Sequence, residues 1–280
     1  MKSKLSPSWR LCWRGCDKEE SMKRNVILIL LILFFLGLML FSGYRIVSIL
    51  SEYRAGTETY EDIRRYVSTV PAIPVEPKPE PEQTLPQETE PVDDTVYPVV
   101  DFDGLLTVCE DVVGWLYIEG TNVDYPVVQG VDNNQYLRHM MDGRYNTAGT
   151  LFVDYRNEPD FTERNTIIYG HNMRNGTMFA ALGGYRKQEF YDEHPVALLM
   201  TPQGNYRLEI FSAYVADVEQ NAWDCGFASD AEFARWLEEV AAKSEFQTDL
   251  TPTAQDRIVT LSTCSKDFNN ARFVVHCILK

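Results

Sequence analysis

The run IVTLSTCSKDFNNARFVVHCIL, residues 258–279, decides the fold class. Its two flanks, Arg257–Thr263 and Arg272–Leu279, are rich in β-branched and aromatic residues, the composition of strands. Between them, Asp267, Asn269 and Asn270 supply turn chemistry. If the flanks pair antiparallel, Cys264 at the end of one strand meets Arg272 at the start of the next. Outward from this hairpin the same pattern recurs. Gly114–Ile118, Tyr125–Val128, Leu151–Tyr155, Thr166–Tyr169, Val196–Met200 and Tyr206–Val215 all read as short strands. Many short strands separated by turn signals favour a barrel or a sandwich, so the domain is mainly β.

Helices interrupt the strands. Asp101–Cys109 puts Phe102, Leu105, Cys109 and Val112 on one stripe. Thr177–Leu182 reads as a short helix. Asp230–Lys243 is better defined: Phe233, Trp236, Leu237 and Val240 stand at i, i+3, i+4 and i+7, and Ser229 with Glu232 forms a capping box.

The N-terminal part follows other rules. Residues 1–24 carry seven basic and three acidic side chains, +4 within a chain of net charge −15. Val26–Tyr44 then carries no charge, and nineteen helical residues span about 28 Å, a bilayer's hydrocarbon thickness. A cleaved signal peptide would have a shorter apolar core and a small-residue cleavage site. Tyr44-Arg45-Ile46-Val47 follows here instead, so 25–47 is expected to be an uncleaved transmembrane helix. The basic flank places 1–24 in the cytoplasm and the rest outside the cell membrane. Residues 48–98 form a juxtamembrane segment and a spacer. Eight of the chain's 14 prolines fall between Pro71 and Pro98, mixed with glutamates, which favours a semi-rigid extended chain. Residues 99–280 make the folded domain.

The acidic balance argues against a nucleic-acid partner. His139, His171, His194 and His276 are scattered, and no metal-spaced Cys/His cluster is present, so no metal is expected. Cys264 beside Arg272 is more informative. A guanidinium near a thiol favours the thiolate and can donate to a developing oxyanion. Acyl transfer also needs a proton carrier. His171, after Gly170 at a strand end, is the candidate. Cys109, Cys225 and Cys277 have blander readings. A Cys109–Cys225 disulfide is left open, whereas Cys264–Cys277 would disable the nucleophile.

The segments Thr260-Leu-Ser-Thr-Cys264 with Arg272, and Tyr169-Gly-His171, resemble the sortases, membrane-anchored cysteine transpeptidases of Gram-positive bacteria. Asp111-Val-Val-Gly-Trp115, Asp124-Tyr-Pro-Val-Val-Gln-Gly130 and Phe152-Val-Asp-Tyr-Arg-Asn157 extend the match over nearly the whole folded domain. The resemblance is to class B, whose mark is a long helix between the sixth and seventh strands. It implies a closed eight-stranded β-barrel with peripheral helices and no cofactor. It makes Cys264 the nucleophile, His171 the general acid/base and Arg272 the oxyanion or substrate-backbone donor. Asn133, Leu137, Trp223 and Ser262 align with groove positions. The implied partners are surface proteins bearing a C-terminal sorting signal, with a peptidoglycan-precursor or pilin amine as acceptor. A pilin-polymerising enzyme, a plain cysteine hydrolase and a non-catalytic surface-binding barrel are the alternatives.

Overall fold

The computed structural model describes residues 7–68 and 97–280, with side chains from Met22 onward. The chain divides into two compact units, Met1–Arg54 and Ala55–Lys280. Helix α1 (Pro7–Arg64) makes up the described part of the first unit and enters the second. Its apolar stretch from Val26 to Phe41 is exposed, and the helix is long and apolar enough to cross a membrane.

Eight strands of the second unit close a barrel. They are β3 (Val112–Tyr117), β4 (Asp124–Val128), β5 (Leu151–Val153), β6 (Asn165–Tyr169), β7 (Val196–Thr201), β8 (Gly204–Asp217), β9 (Arg257–Cys264) and β10 (Ala271–Leu279). The order around the barrel is β10-β8-β7-β3-β4-β5-β6-β9. Two neighbouring pairs, β4–β5 and β6–β9, run parallel and the rest antiparallel. Trp115, Leu116, Val127, Leu151, Ile167, Leu199, Phe211, Leu261 and Phe273 are all buried on the barrel strands. Closure leaves none of these eight strands with a free edge.

All eight expected barrel strands form. The run expected over Leu151–Tyr155 stops at Val153, because the Asp154 carboxylate accepts the Arg156 backbone N–H at 3.0 Å and turns the chain. Helix α2 (Phe102–Val108) is capped by the Asp101 carboxylate, which accepts from Gly104 N. The expected helix at Thr177–Leu182 is instead a 3₁₀ segment over Phe179–Arg186. Gly183 and Gly184 lower the α-helical propensity there. Helix α3 (Gln188–Glu193) has no counterpart among the expected elements. Six residues are too few to show a helical period. Helix α4 (Asp230–Ala242) lies between β8 and β9, the sixth and seventh barrel strands. Ser229 caps it by accepting from Glu232 N, and Phe233, Trp236, Leu237 and Val240 bury their faces against Phe211, Tyr214, Val274 and Ile278. Each such side chain contributes about 1.5–3 kcal/mol by leaving water.

The folded unit begins at Ala55, well before the expected boundary at 99. Tyr60 and Ile63 at the end of α1 are buried, and β1 (Val67–Ser68) pairs with β2 (Val99–Val100). Of the expected juxtamembrane and spacer segment, 48–98, residues 69–96 lie outside the described residues.

Candidate active site

Strand β9 organises the site. It lies parallel to β6, with Tyr169 opposite Ser262, and antiparallel to β10, with Cys264 directly opposite Arg272. Directly opposed residues project to the same face with Cβ atoms about 4.5–5.5 Å apart. The hairpin therefore sets Cys264 and Arg272 side by side on one face, the register expected from its sequence. The turn is fastened from outside: Arg186 pairs with Asp267 at 2.5 Å, and its Nη2 donates to Ser265 Oγ at 3.2 Å. Asn270 adopts φ 64°, a left-handed conformation that asparagine tolerates.

Beyond β6 the chain keeps following β9. Gly170 N donates to Ser262 O at 3.1 Å, and Thr263 Oγ1 donates to Gly170 O at 2.7 Å. A Cβ on Gly170 would lie 2.5 Å from Leu151 Cδ2 and 2.6 Å from Phe179 Cδ2. Only glycine fits there, and the tight passage delivers His171 to the Cys264 end of the barrel. Asn172 Nδ2 then donates to the Cys264 carbonyl at 2.9 Å. His171 Nε2 lies 2.6 Å from the Leu137 carbonyl. A carbonyl only accepts, so Nε2 carries the proton. Nδ1 is left without a protein partner among the described residues. Cys264 is exposed, while His171 and Arg272 are half-buried.

These three side chains line one cleft of about 180 Å³ with Asn133, Leu137 and Ser262, over a floor that includes Phe152 and Tyr169. Trp223 does not line it. Its Nε1 donates to Ser262 Oγ at 3.0 Å, so it backs the cleft wall. A larger cavity, about 880 Å³, lies between α3 and the α4–β9 connection, and none of the three residues lines it.

Sequence reasoning missed the support beneath the cleft. Asp154 is fully buried and held by Arg156 through Nε at 2.9 Å and Nη2 at 2.8 Å. Tyr169 OH donates to the same carboxylate at 2.9 Å. Burial pushes the Asp154 carboxyl up, but the bonds from Arg156 and Tyr169 outweigh it and hold it below its ordinary value. Arg156 Nη2 also reaches the Trp223 carbonyl at 3.3 Å. The D-x-R spacing within Phe152–Asn157 was the available signal, but spacing alone does not reveal burial. Cys109, Cys225, Cys264 and Cys277 are all free thiols, so the Cys109–Cys225 disulfide left open by the sequence is not formed. Among the described residues no group of His, Cys, Asp or Glu is gathered to hold a metal ion.

The model of the Sortase domain matches residues 116–280, more than half of the chain. The chain belongs to the sortase family. A sortase B of Staphylococcus aureus (strain NCTC 8325 / PS 47) is 37% identical over 168 residues, 60% of this chain and 69% of that protein. Among solved structures, the Staphylococcus aureus sortase B–substrate complex superposes with a TM-score of 0.61 at 36% identity, covering 64% of this chain and 84% of that one. A sortase B complexed with triglycine gives 0.61 at 36%, covering 64% and 85%. The class B likeness extends to α4, which occupies the place between the sixth and seventh strands expected for this sortase.

Proposed function

We propose that this sortase is a cysteine transpeptidase acting through Cys264, His171 and Arg272. The observation that carries the reading is the β9–β10 register, which sets Cys264 opposite Arg272 in the cleft that His171 also lines. Cys264 gives its thiol proton to the uncommitted Nδ1 of His171, and the resulting thiolate attacks the carbonyl carbon of a peptide bond in a C-terminal sorting signal. Arg272 donates to the oxyanion that develops. The carbon–nitrogen bond breaks, His171 gives a proton to the departing amine, and an acyl-thioester remains on Cys264. An acceptor amine then attacks the thioester and loses its proton to His171, and the thiolate leaves. The substrate and triglycine complexes of sortase B relatives support a peptide donor and an amine acceptor. A peptidoglycan-precursor amine is the acceptor we favour. Asn133, Leu137 and Ser262 bind the donor peptide, and Trp223 holds Ser262 in place.

The topology follows from charge. The basic segment 1–24 stays in the cytoplasm, 25–47 crosses the membrane, and the Pro/Glu-rich spacer separates the membrane from the extracellular catalytic domain.

Incubation with a panel of sorting-signal peptides, followed by mass spectrometry, tests the chemistry. An acyl adduct is expected on Cys264, and none on Cys264→Ala. An adduct mapped to another residue, or turnover retained in Cys264→Ala, would end this reading.

A further inference from the structure

The end of α1 is built into the folded unit through Tyr60, which is 4% exposed. Its hydroxyl donates to the Gly149 carbonyl, 89 residues away. Its ring meets the Tyr125 ring edge to face, with centroids 4.9 Å apart. Burial pushes the Tyr60 hydroxyl far above its ordinary range, so it remains a donor at any working pH. Neighbouring bonds fix the same turns of helix. Arg144 Nη2 donates to Thr59 Oγ1 at 2.8 Å, and Arg64 Nε pairs with Asp124 at 2.9 Å.

Both contacts of Tyr60 lead to His171. On one side, Gly149 adopts φ +58°, and a Cβ there would lie 2.6 Å from both the Tyr136 and Leu137 carbonyl oxygens. Gly149 is thus packed against the carbonyl that holds His171 Nε2 at 2.6 Å. On the other side, Tyr125 OH accepts from Met178 N at 3.1 Å. Met178 has φ 56°, a conformation that non-glycine residues adopt only when their surroundings impose it. Met178 pairs with Asn172, and Phe179 N donates to the His171 carbonyl at 2.9 Å. One path fixes the imidazole and the other fixes its backbone.

We infer that Tyr60 is a positioning residue for His171, and that the last turns of the juxtamembrane helix are a working part of the catalytic domain. The inference rests on the proposed proton-transfer role of His171. Tyr60 touches no substrate. It holds the two loops that determine where the imidazole sits and which ring nitrogen carries the proton. A change of about 1 Å in the placement of a reacting group can cost up to about 10²-fold in rate. A displaced ring that stays partly populated in the right place should cost less.

The test uses the full chain in detergent micelles, as wild type, Tyr60→Phe and Tyr60→Leu. Phe keeps the ring against Tyr125 and removes the hydroxyl; Leu removes both. Histidine-selective ¹⁵N NMR reads the His171 tautomer, and peptide cleavage gives kcat and KM. In the wild type, His171 should show a fixed Nε2–H tautomer. Tyr60→Leu should lose that preference and lower kcat roughly tenfold with KM within about twofold, and Tyr60→Phe should fall between. A folded Tyr60→Leu with unchanged His171 signals and unchanged kcat overturns the inference. So does a lowered melting temperature with neither readout moved. If Tyr60→Leu does not fold, Tyr60→Phe decides by the same two readouts. Wild type that cleaves no sorting peptide would sink the transpeptidase reading alone, because the tautomer still reports on Tyr60.

Discussion

His171 and His276 are one residue type in two opposite settings: His171 follows β6 into the open cleft, and His276 lies within β10 with no exposure at all. Their hydrogen bonds put them in opposite tautomers. His171 donates from Nε2 to a carbonyl and leaves Nδ1 uncommitted. Around His276 every donor is already assigned. Thr260 Oγ1 donates to Asn165 Oδ1 at 2.7 Å, so its oxygen accepts from His276 Nδ1 at 2.8 Å. His276 Nε2 then accepts from Tyr214 OH at 3.3 Å. Burial, with Lys243 adding to it, pushes His276 down to about 3. A neutral, doubly satisfied imidazole among Phe211, Tyr214 and Trp236 is a packing group with polar edges. His171 has no such confinement: one of its nitrogens is left uncommitted in the cleft that Cys264 also lines.

The largest expected effect breaks that comparison if it fails. His171→Ala should lower kcat by about 10²–10⁴-fold, the usual range for loss of a general acid/base, with little change in melting temperature. His276→Asn should do the reverse: a melting temperature several degrees lower, and kcat within about twofold wherever the protein is folded. Steady-state cleavage and thermal melts on both variants check it. Equal losses of kcat would mean that the buried network reaches the chemistry.

Arginine offers the next contrast. Arg272 opposes Cys264 with little to hold it, its one described bond being Nη1 to the Ala271 carbonyl at 3.2 Å. Arg156 is locked in its two-pronged bond to buried Asp154. If Arg272 acts through directed donors, Arg272→Lys should lower kcat/KM roughly 10²-fold, because an ammonium lacks the planar fork. Near-wild-type activity in the Lys variant would reduce its role to bare charge. Near-wild-type activity in Arg272→Ala would remove the role altogether.

Much of this was legible in the sequence, and the reason is range. The β9–β10 hairpin, the α4 stripe and the strand-end positions of Cys264 and His171 depend on neighbours within a dozen residues. Barrel closure does not. The parallel β6–β9 pair joins Asn165 to Ile258, and no turn chemistry announces such a pairing. Tyr60 was unreadable for the same cause: its partner Gly149 is 89 residues distant, across a proline-rich stretch that suggested the domain had not yet begun. Trp223 illustrates a finer limit. The resemblance put it in the groove, and the structure puts it behind Ser262.

The smallest effect sharpens the histidine comparison in energetic terms. In the unfolded chain His276 should titrate near 6.5, whereas in the folded protein burial holds it down to about 3. The folded value is the lower one, so the unfolded state binds the extra proton. The stability associated with a neutral His276 is therefore complete above about pH 6.5 and is lost as pH falls toward 3, by up to about 1.4 kcal/mol per pH unit. Asp154 and Asp256 are also held below their ordinary values, and Arg156 and Lys280 are the respective partners responsible. Their contributions fade only below about pH 4, the ordinary carboxylate range. The window from pH 6.5 to 5 lies above that range and within the span over which His276 acts. Across it the wild type should lose about 2 kcal/mol of unfolding free energy from this group. His276→Asn can still donate to Thr260 but cannot titrate, so its stability should start lower and fall less steeply over the same window. Denaturant unfolding at pH 6.5, 5.75 and 5 measures both slopes. Parallel slopes would mean that the folded barrel admits a proton to His276, and that this histidine is less unlike His171 than its surroundings imply.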